Sequence, residues 1–234
     1  MAVPVLVLQT LAVQRGPTGR AAEQEDVYYY ITVMNENYAH PAMPEGVEKN
    51  ILKGMYLLRE EGRGKGKEKK PCVQLLGSGT ILREVIAGAQ MLERDFGVAA
   101  DIWSVTSFNE LRRDGLETER WNRLHPEAEP RLSHVEQCLT DRHGPVVAAT
   151  DYMKAFADQI RPFVHDRYIV LGTDGFGRSD TREKLRRFFE VDRRHVAVAA
   201  LKALADTEAI APKKVTEAIK KYGIDAEAPN PARV

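Results

Sequence analysis

The turn Gly172-Thr173-Asp174-Gly175-Phe176-Gly177-Arg178-Ser179-Asp180 holds the most suggestive carboxylate in this chain. An aspartate among glycines after a strand can offer an oxygen ligand to Mg²⁺. Mg²⁺ demands near-octahedral oxygen ligation, which one aspartate in a turn does not supply. The turn therefore reads first as structural, with Asp174 kept as a weak cavity-lining candidate. Its end opens a helix through a capping box expected at Asp180 and Glu183. A second polar cluster is Asn35-Glu36-Asn37-Tyr38, which follows an apolar strand at Tyr28–Met34. Polar residues at the carboxyl end of a strand are where α/β proteins place chemistry. Asn35, Glu36, Asn37 and Tyr38 are thus weak cavity-lining candidates. Turn-forming hydrogen bonds to the backbone are the favoured reading.

Other chemistry is thinner. Gly77-Ser78-Gly79-Thr80 lies between a strand and a helix, where phosphate can be cradled. Leu82 stands where a dinucleotide fingerprint wants its third glycine, and a P-loop lysine is absent. The turn reads as a device for close strand–helix packing. His134 and Cys138 are four apart, a zinc half-site if that segment is helical, but no second pair has ligand spacing. His125, His143, His165 and His195 are scattered. No Gly-x-Ser-x-Gly elbow occurs, and neither cysteine has a nucleophile's context. No catalytic, cofactor-binding or metal residue is assigned.

The elements that must position these residues alternate. Strands are predicted at Val73–Leu76, Asp101–Thr106, Pro145–Thr150 and Tyr168–Gly172. Helices are predicted at Thr80–Arg94, Phe108–Arg120, Tyr152–Ile160, Thr181–Phe189, Arg193–Ala205 and Lys213–Tyr222. Trp103 falls in a strand and is expected in the core, and Trp121 is expected as a packing anchor in a partly exposed segment. Such alternation argues for a mostly parallel sheet covered on both faces. Upstream, Pro44-Glu45-Gly46 is read as a helix start, with Val47, Ile51, Leu52, Met55 and Leu58 on one face. Arg59 to Lys70 carries three glycines among charges and is read as a flexible, solvated connector at a domain boundary.

Composition bounds the function. The chain has 234 residues, 43% hydrophobic and 29% charged, enough for a real core. Its 34 basic and 34 acidic side chains cancel, so no global field favours nucleic acid or an anionic membrane. Two cysteines, Cys72 and Cys138, are too few for a disulfide framework and fit a reducing cytoplasm. No apolar run reaches the roughly 20 residues of a membrane helix.

The run Tyr-Tyr-Tyr-Ile-Thr-Val-Met-Asn-Glu-Asn-Tyr-Ala-His-Pro-Ala-Met-Pro-Glu-Gly at 28–46 resembles the end of the pyrimidine-binding domain in the homodimeric pyruvate dehydrogenase first component. The order of elements after it resembles the transketolase-like C-terminal domain. Together the resemblance extends from about Asp26 to Val234. It implies an α/β, three-layer transketolase C-terminal-like domain, preceded by a remnant of the pyrimidine-binding domain. The expected division is a poorly ordered leader at 1–25, the remnant at 26–58, the connector at 59–70 and the C-terminal domain at 71–234. The leader does not look like the family and is read as a misplaced start or frameshifted remnant.

The resemblance also implies an activity for the complete enzyme: oxidative decarboxylation of pyruvate with acetyl transfer to lipoyl groups. That enzyme uses thiamine diphosphate and Mg²⁺. Its partners would be a homodimer mate and a lipoyl-bearing acetyltransferase. The family holds its diphosphate with a Gly-Asp-Gly motif and a later asparagine pair. Here Thr173 precedes Asp174, and downstream stands Asn230 alone. The family's catalytic histidines and activating glutamate precede this stretch and map onto no residue here. The chain alone is therefore expected to be non-catalytic, a structural or subunit-contact domain. A transketolase-like enzyme fragment and a nucleotide-binding α/β domain are the alternatives.

Overall fold

The computed structural model describes residues 37–63 and 70–234. The strand expected at Tyr28–Met34 and the leader lie outside them. Five strands form one sheet: β1 (Met55–Glu61), β2 (Cys72–Ser78), β3 (Ala99–Val105), β4 (Val146–Ala149) and β5 (Tyr168–Leu171), in the order β1-β3-β2-β4-β5. The last four are mutually parallel. Cys72 pairs with Ala99 across β2 and β3, Gln74 with Val146 across β2 and β4, and Val146 with Tyr168 across β4 and β5. β1 closes one edge antiparallel to β3, Met55 opposite Val105. Every residue of β3 and β4 is buried, as apolar runs covered on both faces should be.

Alternation along the strands splits the core in two. Val73, Leu75, Ala100, Ile102, Val147 and Ala149 point to one face. There they meet α2 (Leu82–Phe96), α7 (Arg193–Asp206) and α8 (Lys213–Tyr222). Leu76, Trp103, Val105, Val146 and Ala148 point to the other. That face is covered by α3 (Phe108–Leu124), α4 (His134–Leu139) and α5 (Lys154–Asp158). The result is helix, sheet, helix. Fully burying a Leu or Ile contributes about 1.5–3 kcal/mol, so Leu75, Ile102, Leu201 and Leu204, all within 1% of full burial, anchor the first layer. Trp103 is buried as expected, and its indole N–H donates to Gln74 Oε1 at 2.9 Å.

Upstream of β2 the structure departs from expectation. The helix predicted from Pro44 through Leu58 is confined to α1 (Glu48–Lys53). Pro44-Glu45-Gly46 is not its start, for Glu45-Gly46 forms a turn ahead of it, with Gly46 at φ +76°. Gly54 stops the helix in the left-handed region, φ +107°, its N–H reaching the Asn50 and Ile51 carbonyls. A side chain at Gly54 would sit 2.7 Å from the Ser107 carbonyl oxygen. Met55 and Leu58 therefore belong to an edge strand, although their spacing also fits a helix. The connector expected over 59–70 is likewise ordered at its start: Arg59–Glu61 end β1, and Arg63 grips the fully buried Asp101 through Nε at 2.8 Å and Nη2 at 2.5 Å.

Asp101 is the hub of a buried polar network. Its Oδ2 also accepts from Gln74 Nε2 at 2.9 Å and Arg142 Nη1 at 3.3 Å, and Gln74 Nε2 reaches the His143 carbonyl at 3.1 Å. Arg142 in turn pairs with Glu60 on β1. A carboxylate without solvent is tolerated when its lone pairs are taken by charged donors. The loop that supplies Arg142 must pass very close to β2. At Gly144 a Cβ would lie 1.9 Å from the Cys72 carbonyl oxygen.

Candidate functional site

The carboxyl ends of the parallel strands meet three loops. After β2, Gly77 is pressed onto α2: an added Cβ would lie 2.8 Å from Leu82 Cα. That contact supports the packing reading of the glycine turn over a phosphate cradle. Ser78 Oγ and Thr150 Oγ1 are 2.8 Å apart, and Thr80 Oγ1 donates to Asp151 Oδ2 at 3.1 Å. After β5, Thr173 N–H and Oγ1 bind the carbonyls of Tyr152 and Asp151 at 2.9 and 2.6 Å. The three loops thus satisfy one another.

Asp174 is part of this lattice. Its Oδ1 accepts from the Lys154 N–H at 3.0 Å, where α5 begins. The carboxylate caps that helix from a neighbouring loop. Asn230, the lone downstream asparagine, spends its Oδ1 on the Ala232 N–H at 2.9 Å. The capping box expected at Asp180 and Glu183 does not form, and a single side-chain cap falls one residue later. Thr181 caps α6 (Arg182–Phe188) by accepting from the Lys184 N–H at 3.5 Å, while Asp180 Oδ1 takes the Thr181 N–H at 2.7 Å. Of the elbow, Asn35 and Glu36 lie outside the described residues and Asn37 is exposed. Tyr38 is buried under Arg83, whose guanidinium carbon lies 4.3 Å from the ring centre, and Arg186 Nη2 donates to its hydroxyl at 3.3 Å.

Tyr38 leads to a second cluster. Glu84, in the first turn of α2, is 5% exposed. It accepts from the Arg193 N–H at 3.0 Å, from Arg193 Nε at 2.9 Å and Nη2 at 3.1 Å, and from Arg186 Nη1 at 3.3 Å. Burial opposes its charge, but the Arg193 bonds and the two guanidinium charges outweigh burial and hold the carboxyl below its usual value. Between these groups opens a cavity of about 440 Å³, bordered by a smaller one of about 310 Å³ that shares Arg182 and Arg186 with it.

His134 and Cys138 do share a face of α4, Nε2 and Sγ 3.6 Å apart. Neither is poised as a ligand. Nε2 donates to the Met55 carbonyl at 2.9 Å and Nδ1 is buried without a partner, so the ring is neutral, its pKa lowered by burial and by Lys53. Burial pushes the Cys138 thiol up to about 11. Among the described residues no group of three or more His, Cys, Asp or Glu stands close enough to hold a metal ion. No described helix is long and apolar enough to cross a membrane.

Compared with known proteins, residues 54–192 match the model of the transketolase-like TK C-terminal domain. The chain belongs to that family. The match begins at Gly54 and so takes in β1, the strand expected to lie in a helix and a connector. The curated relatives are longer proteins. The pyruvate dehydrogenase E1 component of Pseudomonas aeruginosa is 62% identical over 220 residues, 94% of this chain and 24% of the relative. Its counterparts from Cupriavidus necator and Escherichia coli are 61% and 56% identical, over 96% and 89% of this chain. The chain spans about a quarter of the length of these relatives. All three carry an enzyme's name.

The cluster around Glu84 went unread in the sequence. Arg186 and Arg193 lie 102 and 109 positions beyond Glu84, and nothing local announces them. The helix at 134–139 did leave a signal: Ser133 and Glu136 form a capping box, the Ser-x-x-Glu pattern that marks a helix start.

Proposed function

We propose that this transketolase-like domain is the C-terminal portion of a pyruvate dehydrogenase first component. In the complete enzyme it would serve oxidative decarboxylation of pyruvate and acetyl transfer to lipoyl groups. The identity of 56–62% to three such components supports this. By the same reading, thiamine diphosphate and Mg²⁺ are held elsewhere in the complete enzyme. The residues here do not fit that group, since the Asp174 carboxylate caps α5 and Asn230 caps its own turn. The chain alone is therefore non-catalytic and works by contact, with a second subunit and with the lipoyl-bearing acetyltransferase as partners, in the cytoplasm.

The surface beside the strand ends supports the contact role. Tyr152, Met153 and Phe156 are 61, 52 and 39% exposed, and Phe176, in the Gly172–Asp180 turn, is 84% exposed. Large apolar side chains clustered on adjacent surface segments are what a protein–protein interface buries. The deciding experiment supplies the purified chain with pyruvate, thiamine diphosphate and Mg²⁺. No CO₂ release and no tight Mg²⁺-dependent cofactor binding are expected. Turnover by the chain alone would overturn the non-catalytic assignment.

A further inference from the structure

The 440 Å³ cavity differs in charge from the chain as a whole. Arg83, Arg182, Arg186, Arg193 and Arg194 line it, against the carboxylates of Glu84, Glu183 and Asp192. The full chain balances 34 bases against 34 acids, so five guanidiniums around one hollow are a local excess. Two of the three carboxylates are already engaged. Glu84 is taken by Arg186 and Arg193. Asp192 accepts from the Arg194 and His195 N–H groups at 3.1 and 3.0 Å, and lies 2.7 Å from His195 Nδ1.

The placement of the cations carries the point further. Arg83 is in the first turn of α2, and Arg193 and Arg194 open α7. Helix amino-terminal ends disfavour positive charge. Glu84 already offsets Arg193, which leaves Arg83 and Arg194 as the helix-start cations that an incoming anion would offset. Guanidinium forks bind phosphoryl oxygens bidentately. The hollow falls within the usual range of roughly 300–1,000 Å³ for small-molecule sites, ample for more than one phosphoryl group. Tyr38 forms part of the wall, its ring held under Arg83.

We propose that this cavity binds a small polyphosphate anion, with Arg83 and Arg194 as recognition residues. Arg186 and Arg193 hold the wall through Glu84. The site stands apart from the turn at Asp174 and does not depend on the enzyme assignment above.

The test is calorimetric titration of the 234-residue chain, without Mg²⁺, using inorganic tripolyphosphate and ATP as probes. One-to-one binding that weakens with rising salt is expected for both. The Arg83→Gln/Arg194→Gln variant should bind about tenfold more weakly or worse, for the loss of two charge-assisted contacts. Arg83 stacks on the buried Tyr38 ring, so the double variant should lose a little stability, whereas Arg194→Gln alone should leave the unfolding midpoint unchanged. The single Arg194→Gln variant, with a smaller loss, serves if the double variant melts early. Equal affinity for the two probes places recognition in the phosphates, and tighter ATP binding extends it to the nucleoside; both support the proposal. No binding by the native chain, or equal binding by the variants, overturns it.

Discussion

Replacing Arg63 by alanine tests whether the stretch after β1 is part of the folded domain. Asp101 is fully buried, and Arg63 supplies its two closest charged contacts, at 2.8 and 2.5 Å. Breaking a buried pair from one side costs about 3–5 kcal/mol, because the other charge stays behind without its partner. Here Arg142, at 3.3 Å, and Gln74 remain as donors, which brings the expected loss down to about 2–3 kcal/mol. For a chain of this size that corresponds to a fall of roughly 4–12 °C in melting temperature. Asp101→Asn should cost less, since Arg63 and Arg142 side chains, 40 and 24% exposed, regain water. The double variant Arg63→Ala/Asp101→Asn should cost less than the two losses added. Urea unfolding of the four proteins reads all three quantities. A solvated connector would leave Arg63→Ala within about 0.5 kcal/mol of the native chain, and that result, with additive double-variant losses, would refute the reasoning.

Four further outcomes are expected. Leu75→Ala opens a void between β2 and the α2–α7 layer and should cost about 2–5 kcal/mol, measured by urea unfolding. Gly144→Ala combines φ +102° with a Cβ at 1.9 Å from the Cys72 carbonyl, and should cost about 2–5 kcal/mol by the same assay. His134 is held neutral below its ordinary pKa of 6.5. The unfolded chain therefore binds the extra proton first, and stability should fall as pH drops below 6.5; His134→Gln should remove that part of the slope in urea midpoints compared across pH 5 to 8. A chain beginning at residue 71 lacks β1 and bares the β3 edge, so it should associate in sedimentation experiments where one beginning at residue 47 does not.

From Cys72 onward the parallel strands and the long helices were legible because two periodicities agree with the final packing, while the short α4 was not read. Apolar runs such as Val146–Ala149 are buried on both faces, and Lys213–Tyr222 carries its apolar stripe between Pro212 and Gly223. Before Cys72 the same reasoning failed. Val47, Ile51, Leu52, Met55 and Leu58 fit a helical face, and Gly54 alone signalled the break. The charges of Arg59–Arg63 suggested solvent, whereas one of them neutralises a buried aspartate 38 positions away. The candidate site divides in the same way. The turn at Gly172–Asp180 was read as structural from its composition, whereas Asp174 capping a helix 20 residues earlier is a tertiary fact. The arginine-lined cavity is assembled from three separated segments, and only the folded chain shows it.

Gln74 and Asp101 occupy facing positions of adjacent parallel strands. Sliding β2 by two residues along β3 would keep every apolar side chain on its proper face, so oil-like packing alone discriminates poorly against that misalignment. The slip would, however, strand a carboxamide and a carboxylate opposite hydrocarbon. The pair therefore acts as a key cut for a single lock position. An all-aliphatic replacement, Gln74→Leu with Asp101→Leu, removes the buried charge but orphans the Trp103 indole N–H, and it loses the device that makes neighbouring alignments costly.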